Sequence, residues 1–242
     1  MSDAELNHLL VKRFLQTQTV HGRLRLQLAA RWKQFAWRMV VSSTLLLKRI
    51  FDVIASALFL LVFSPLFLLI AALIKIEDGG PIFFPQTRVG KFGREFKMWK
   101  FRSMCLDAEA KMKELLAKNQ HAEGVTFKIK NDPRITKIGK WLRKFSLDEL
   151  PQFFNVLIGD MSLVGPRPPV PREVALYSIA HRQRLLVQPG ITCFWQIGGR
   201  SEIDFSGQVQ LDVRYIESQS FFLDLKILLK TIPAVLNGKG AY

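Results

Sequence analysis

One uncharged, apolar stretch constrains this chain more than any other feature. Residues 53–74, VIASALFLLVFSPLFLLIAALI, contain no Asp, Glu, Lys or Arg, and about 20 such residues are enough for a helix to span the hydrocarbon core of a bilayer. The stretch therefore predicts a protein that is embedded in a membrane. Ser64 and Pro65 lie at its centre, where a proline leaves a carbonyl unpaired and bends the helix, while a serine hydroxyl can satisfy that carbonyl. We expect a break at Ser64-Pro65.

The charges beside this stretch bear on whether it crosses the membrane. Lys and Arg residues near the ends of a membrane segment stay on the cytoplasmic side. A simple crossing would expose one basic flank outside, whereas a re-entrant helix that breaks and returns keeps both flanks in the cytoplasm. A proline-kinked single pass and a re-entrant helix both stay open, and Lys48 and Arg49 are expected at the interface. The basic residues before the stretch are Arg31, Lys33, Arg38, Lys48 and Arg49, and those after it are Lys75, Arg88, Lys91, Arg94, Lys97, Lys100 and Arg102.

The net charge of +15 predicts an anionic partner, and nucleic acid, anionic lipid and phosphorylated substrates all qualify. The apolar stretch beside the basic residues favours lipid and phosphate, so no nucleic-acid partner is expected. Cys105 and Cys193 are too few for a disulfide framework. The four histidines lack the spacing of a zinc site.

Two adjacent acids stand in the otherwise basic stretch that ends in SLDELPQ. Ser146 and Glu149 have the S-x-x-E spacing of a helix capping box. Pro151 would then fall inside the helix, where proline removes a hydrogen bond. A helix that begins at Pro151 fits better and leaves Asp148 and Glu149 at the mouth of its N-terminus. Helix capping and a functional carboxylate pair remain equal alternatives from the spacing alone.

Several basic residues are candidates to bind phosphate. Arg167 stands in VGPRPP, a stiff loop that fixes a guanidinium at low entropic cost, although an incidental arginine in a proline-rich turn is the alternative. Arg200 ends the glycine turn QIGGR. Lys100 and Arg102 belong to FKMWKFR, whose alternation predicts a strand or extended arm.

The remaining pattern predicts a fold that is mainly α with short β segments. We expect an N-terminal basic, amphipathic extension over residues 1–47, a membrane helix over 48–76 and a compact domain over 77–242. The last region has too few strand-like segments for a doubly wound sheet.

Several stretches together resemble one family, the bacterial sugar transferases or monotopic phosphoglycosyl transferases. The resemblance runs from about residue 48 to residue 242, and the motifs recur in the family's order. They are KRIFDVI, FSPLF, GGPIFFPQTRVGKFG, FKMWKFRSM, DPRITKIGKWLRKFSLDELPQFFNVLIGDMSLVGPRPP, QPGIT and DLKILLKTIPAVLNGKGAY.

The resemblance implies an enzyme of the bacterial inner membrane whose catalytic domain lies on the cytoplasmic face. Such an enzyme moves a sugar 1-phosphate from a UDP-sugar to undecaprenyl phosphate, a polyprenyl phosphate, and releases UMP. The step initiates assembly of exopolysaccharide, capsule or the O-antigen of lipopolysaccharide. The family's apolar segment is a re-entrant helix broken at a Ser-Pro pair, here Ser64-Pro65.

The resemblance also implies roles for the acids. Asp148 matches the nucleophile that forms an aspartyl phosphosugar, and Glu149 is its metal-binding or proton-handling partner. Magnesium is the implied cofactor, with Asp148 and Glu149 as Mg2+ ligands. Lys100, Arg102, Arg167 and Arg200 are the implied phosphate or uridine diphosphate contacts.

Some questions stay open at this point. Cys193 stands where the family commonly has glycine, and Gly198 stands where a serine is common, so the sugar is in doubt. The ending GAY resembles relatives that use UDP-glucose or UDP-galactose, with N-acetylated and diamino sugars as alternatives. A homodimer is left open. The rival functions are a non-catalytic membrane scaffold of a polysaccharide assembly complex and a membrane-anchored nucleic-acid-binding protein.

Overall fold

The computed structural model describes residues 18–108, 110–111, 132–199 and 203–236, together with positions 11 and 14, but not the side chains of residues 36–42. The chain divides into two units, Met1–Lys48 and Arg49–Tyr242, and the second carries the predicted site. The start of the predicted N-terminal extension lies outside the described residues.

The described residues are mainly helical, and their strands are short, which confirms the predicted fold class. The strands form two sheets of two strands each. Short 3-10 turns cover Lys91–Gly93, Leu147–Glu149 and Gln183–Leu186. The helices are α1 (Val20–Val62), α2 (Ser64–Asp78), α3 (Lys137–Lys144), α4 (Gln152–Ile158), α5 (Pro171–Ala175), α6 (Ile179–Arg182), α7 (Phe194–Gly198), α8 (Phe205–Ser218) and α9 (Phe221–Leu236), and the strands are β1 (Phe83–Val89), β2 (Glu95–Phe101), β3 (Ser162–Val164) and β4 (Gly190–Thr192).

The apolar stretch forms two helices with a break between them. Helix α1 ends at Val62 and α2 begins at Ser64, with Pro65 in its first turn. The Ser64 hydroxyl donates to the Leu61 carbonyl at 2.8 Å, so it satisfies one carbonyl that the break leaves over. The bend between the two helices thus falls directly before the Ser64-Pro65 pair. By length and hydropathy, no individual helix in the described ranges qualifies as a membrane span, but Ser43–Val62 and Ser64–Asp78, bent by 60°, qualify as a pair.

One face of α2 packs against the rest of the second unit and the other is uncovered. Ile70 and Ile74 are buried in a cluster with Phe101 and Leu142. The uncovered face continues onto the end of α1, and an apolar surface of this kind marks an interaction site. Its exposed members are Ile54, Leu58, Leu61, Val62, Leu68, Leu69, Leu73 and Ile76.

Arg49 and Lys48 are the two residues predicted to lie at the membrane interface. Arg49 is half-buried, and its guanidinium donates to the carbonyls of Val156 at 2.6 Å and Leu157 at 3.0 Å. The last carbonyls of a helix lack partners within that helix, so Arg49 ties α1 to the end of α4. Lys48 is also half-buried, and its interfacial role stays a prediction.

The main core lies between α4, β2, β3 and the C-terminal helices. Strands β1 and β2 form an antiparallel hairpin from Phe83↔Phe101 to Val89↔Glu95. Strand β3 runs parallel to β4, where a Cβ at Gly190 would collide with the Gly165 backbone. This close approach explains the glycine of QPGIT. The buried core residues are Met98, Val156, Met161, Leu163, Val164, Tyr215 and Ile227.

Candidate active site

The turn that carries the two acids precedes a helix rather than capping one. Ser146 has φ 54°, in the left-handed region, and its side chain makes no capping hydrogen bond. Because an N-cap residue needs extended backbone geometry, the capping-box interpretation of Ser146 and Glu149 is wrong. Helix α4 begins directly after Pro151, close to the predicted start. Asp148 and Glu149 therefore lie in a 3-10 turn at the mouth of α4.

Glu149 is held by two basic side chains that the sequence analysis selected. Lys100 donates from Nζ to Glu149 Oε1 at 2.6 Å, and Arg167 donates from Nη1 to the same oxygen at 3.4 Å. The side chains of Lys100 and Glu149 are 13% and 18% exposed, and that of Arg167 is 34% exposed. The structure thus brings together residues from β2, the acid-bearing turn and the VGPRPP loop.

Asp148 has a different environment from its neighbour. It is buried, with 6% exposure, and the groups that act on its charge are Lys100, Glu149, Arg143 and Arg167, none of them through a hydrogen bond. Burial raises the pKa of Asp148, against the attraction of the Lys100 ammonium. Burial would also raise the pKa of Glu149, but the charges of Lys100 and Arg167 hold that pKa below its usual range. Glu149 is therefore a paired anion, while Asp148 is paired with no cation among the described residues.

Arg88 is a site residue that the sequence analysis missed. It is buried, and it donates from Nη1 to the Pro168 carbonyl at 2.8 Å and from Nη2 to Gln86 Oε1 at 2.7 Å. Burial and the nearby Arg167 charge lower the pKa of Arg88 to about 10. Arg88 thus anchors the loop that presents Arg167. The sequence signal for this contact is the spacing of Gln86 and Arg88, because side chains two residues apart on a strand lie on the same face.

The contacts of Arg102 lie outside this site, and its predicted phosphate contact stays a prediction. Its guanidinium forms an ion pair with Asp78 and donates to the carbonyls of Pro81 and Met104. These bonds use most of the five donors of an arginine. Arg102 therefore fastens the end of α2 to the end of β2. Arg200 lies outside the described residues, and its contact stays a prediction.

The cations around the acids outnumber them, which favours an anionic ligand. The charges of Arg143 and Arg167, as well as Lys100, act on Asp148. Among the described residues, no group of three or more His, Cys, Asp or Glu could hold a metal. Mg2+, however, is usually held by one or two carboxylates together with substrate phosphates. An adjacent carboxylate pair beside an excess of cations fits that mode.

Comparison with known proteins identifies the family. The bacterial sugar transferase family model matches residues 43–238. The chain belongs to the bacterial sugar transferase family. This confirms the resemblance drawn from the motifs between residues 48 and 242, and the matched region contains every described residue of the site.

The curated relatives carry names that agree with the family. The chain is 46% identical over 198 residues to the exopolysaccharide production protein ExoY of Rhizobium meliloti, covering 81% of this chain and 88% of the relative. It is 50% identical over 200 residues to the galactosyl transferase CpsE of Streptococcus agalactiae, covering 82% of this chain but 44% of the relative. The undecaprenyl-phosphate galactose phosphotransferase of Salmonella typhimurium is 44% identical over 203 residues, covering 83% of this chain and 42% of the relative. The chain thus spans less than half the length of the last two.

Proposed function

We propose that this bacterial sugar transferase moves a sugar 1-phosphate from a UDP-sugar to undecaprenyl phosphate, releases UMP and so initiates exopolysaccharide assembly. The observation that carries the proposal is the buried carboxylate of Asp148, which is paired with no cation among the described residues and stands beside Glu149, which Lys100 and Arg167 hold. The relatives' names, which include an undecaprenyl-phosphate galactose phosphotransferase and a glucose phosphotransferase, support the same reaction.

The proposed chemistry has two displacements at one phosphorus. The Asp148 carboxylate attacks the sugar-bearing phosphorus of the UDP-sugar, an oxygen–phosphorus bond forms, and the pyrophosphate bond breaks with UMP as leaving group. An oxygen of undecaprenyl phosphate then attacks the same phosphorus, forms a new pyrophosphate bond and releases the Asp148 carboxylate. Covalent catalysis of this kind divides one difficult transfer into two easier ones.

The basic residues serve both displacements. Lys100 and Arg167 contact Glu149 and place positive charge where the substrate phosphates bind. Positive groups that are already in position stabilise the charge that develops on the transferred phosphoryl group. They also favour the ionised form of Asp148, which a nucleophilic carboxylate requires.

Asp148 and Glu149 are the residues that would hold Mg2+. When bound, the ion would neutralise charge on the pyrophosphate and assist the departure of UMP. Glu149 Oε1 already accepts from Lys100 and Arg167, so Glu149 has its second carboxylate oxygen left for a metal.

The proposed location is the inner membrane, with the catalytic unit on the cytoplasmic face. The 60° bend between Ser43–Val62 and Ser64–Asp78, the exposed apolar residues beside it and the two basic flanks support a re-entrant helix. Such a helix keeps the site in the leaflet that presents the phosphate of undecaprenyl phosphate. UDP-glucose and UDP-galactose are the favoured donors.

UMP release tests this function directly. The purified protein in lipid discs with undecaprenyl phosphate is given a panel of UDP-sugars, and we expect UMP release from at least one hexose donor. Asp148→Asn is the control, since it keeps the size of the side chain but not its nucleophilicity. No release from any donor, or release unchanged in Asp148→Asn, would contradict the proposal and favour a non-catalytic scaffold.

A further inference from the structure

Asn155 joins the helix after the acids to the strand that carries Lys100. It is fully buried. Its Oδ1 accepts from the Trp99 amide at 2.9 Å, and its Nδ2 donates to the Lys97 carbonyl at 2.8 Å and to Asp160 Oδ2 at 3.3 Å. Buried side-chain amides normally have hydrogen-bond partners. Two of the partners of Asn155 are backbone groups of the same strand, β2.

These bonds replace one rung of a β-ladder. Strand β2 pairs with β1 along one edge, where Trp99 stands opposite Pro85. On the other edge, the Trp99 amide and the Lys97 carbonyl have no strand beside them in the described part of the chain. The side-chain amide of Asn155 supplies both the acceptor and the donor that a neighbouring strand would supply. Helix α4 is thereby docked on β2 in one register.

The hydrogen bonds of Asn155 join the two segments that make the Lys100–Glu149 contact, namely β2 and the turn before α4. Lys100 directly follows Trp99, while Glu149 lies in the turn just before α4. The register of α4 on β2 therefore sets where the turn stands relative to Lys100. A displaced turn would separate Lys100 Nζ from Glu149 Oε1, which now lie 2.6 Å apart.

The other contacts of α4 hold the rest of the helix but not this register. Val156 packs in the core with 0% exposure, and Arg49 binds the carbonyls of Val156 and Leu157 at the far end of α4. Both contacts would hold α4 in the core if the rung were lost. Among the described residues of α4, Asn155 is the one whose side chain is hydrogen-bonded to the strand segment that carries Lys100.

We propose that Asn155 is a positioning residue that fixes the Lys100–Glu149 contact for sugar 1-phosphate transfer, an inference that rests on the proposed function. Asn155 touches no reacting atom. It acts through the placement of Lys100 Nζ against Glu149 Oε1. Loss of the rung should therefore cost little once Lys100 itself has been replaced, which a purely structural role would not produce.

The test compares two variants with a matched control. Asn155→Leu removes the donor and the acceptor at similar size, and Asn155→Ser is a milder change whose cavity a bridging water can fill. Tyr215→Phe is the control, because Tyr215 is buried in the same core and its hydroxyl lies within hydrogen-bond distance of the Val164 carbonyl and the Asp224 carboxylate, not of β2 or the acid-bearing turn. Thermal unfolding is measured for all three, so that turnover is compared at known stability. Each Asn155 variant is also made in a Lys100→Met background.

We expect the Asn155 variants to lower kcat for UMP release by about 10–100-fold and to cause little further loss in a Lys100→Met background, because they act through Lys100. The KM for the UDP-sugar should change less. Tyr215→Phe should lower the unfolding temperature and leave kcat nearly unchanged. Asn155 variants that do not fold, that keep full kcat, or that lose as much again in the Lys100→Met background would overturn the positioning role.

A second readout separates this inference from the proposed function. A wild-type protein that releases no UMP from any donor refutes the function, whatever the variants do. In that case, the Lys100–Glu149 contact is followed by zero-length carbodiimide cross-linking and mass spectrometry in the wild type and both Asn155 variants. A weaker Lys100–Glu149 cross-link in the variants supports the positioning role, and an unchanged cross-link overturns it.

Discussion

Asp148 and Glu149 are neighbours in the chain, yet they have opposite electrostatic environments. Lys100 and Arg167 hold the pKa of Glu149 below its usual range, while burial raises the pKa of Asp148. The sequence predicted the pair and these two basic partners through the motifs. It could not predict which acid they contact, because Lys100 reaches Glu149 from 49 residues away.

Removal of the Lys100 charge should therefore affect both acids. We expect Lys100→Met to lower the rate of UMP release by about 100-fold, because positive charge at the phosphate site is lost. The pKa values of both carboxyls should rise, so activity is lost at a higher pH as the pH falls. The measurement is the pH–rate profile of UMP release.

Lys97→Met is the matched control for this prediction. Lys97 lies on the same strand, is exposed and bonds to the Thr87 hydroxyl at 2.8 Å. Its loss should leave the acid limb unchanged. An equal loss of activity in both variants would mean that Lys100 contributes only general charge or strand stability.

Arg102→Ala should reduce stability rather than phosphate binding. We expect the free energy of unfolding to fall by about 2 kcal/mol, because Asp78 and the Pro81 and Met104 carbonyls lose their donor. The hydrogen bond from Arg102 lowers the pKa of Asp78 to about 2. A carboxylate with a lowered folded-state pKa stabilises above its unfolded pKa, and that stability is lost as the pH falls.

Denaturant unfolding of Arg102→Ala at neutral pH and near pH 2 measures this effect. The exposed Arg94 on the hairpin offers the control variant Arg94→Ala. The difference in stability between Arg102→Ala and wild type should shrink in acid. A fully stable Arg102→Ala protein with a raised KM for the UDP-sugar would restore the phosphate-binding interpretation instead.

The helices and strands differ in how far the sequence could predict them. The broken helix was predictable, because a long apolar stretch with a central proline has few other solutions. Strands β3 and β4 were not, because three residues each are too short for a detectable alternation. Helix α1, Val20–Val62, runs through the predicted boundary at residue 47, where no proline or glycine ends it.

The break itself makes a testable prediction about topology. In the wild type, cysteines introduced at the exposed positions Gln34 and Phe92, with Cys105 and Cys193 replaced by serine, should both react only from the cytoplasmic face. Pro65→Ala restores a backbone donor and removes the steric bar to a continuous helix. We expect Pro65→Ala to place the two cysteines on opposite faces in part of the population.

The control for this experiment is Leu69→Ala, a change at an exposed position of α2 that leaves the break intact. It should behave as the wild type does. Wild-type cysteines on opposite faces of the membrane would contradict a re-entrant helix and favour the kinked single pass.

The chain as a whole combines the exposed apolar face of α2 and the end of α1 with a net charge of +15. The family followed from the motifs, since many of them occur in order, and the family match confirms it. The ion pair of Arg102 with Asp78 and the hydrogen bond of Arg88 to Pro168 could not be foreseen, because both join distant segments. The contacts of Asn155 could not be foreseen either, because its partners belong to the distant strand β2.

The exposed apolar face of α2 and of the end of α1 also predicts what releases the protein from membranes. A protein bound only by its charge is released when salt screens the attraction, whereas buried apolar helices are not. We expect washing of isolated membranes at about 1 M salt to leave the protein bound and detergent to release it. Release by salt alone would contradict insertion of the bent helix pair.

Trapping of the proposed intermediate tests the nucleophilic role of Asp148 most directly. The protein is incubated with a UDP-sugar labelled in the sugar, without undecaprenyl phosphate, and the labelled peptide is identified by mass spectrometry. We predict one sugar phosphate on Asp148, released when undecaprenyl phosphate is added, and no label in Asp148→Asn. Steady UMP release that needs undecaprenyl phosphate, with no label on the protein and with turnover preserved in Asp148→Asn, would contradict the account.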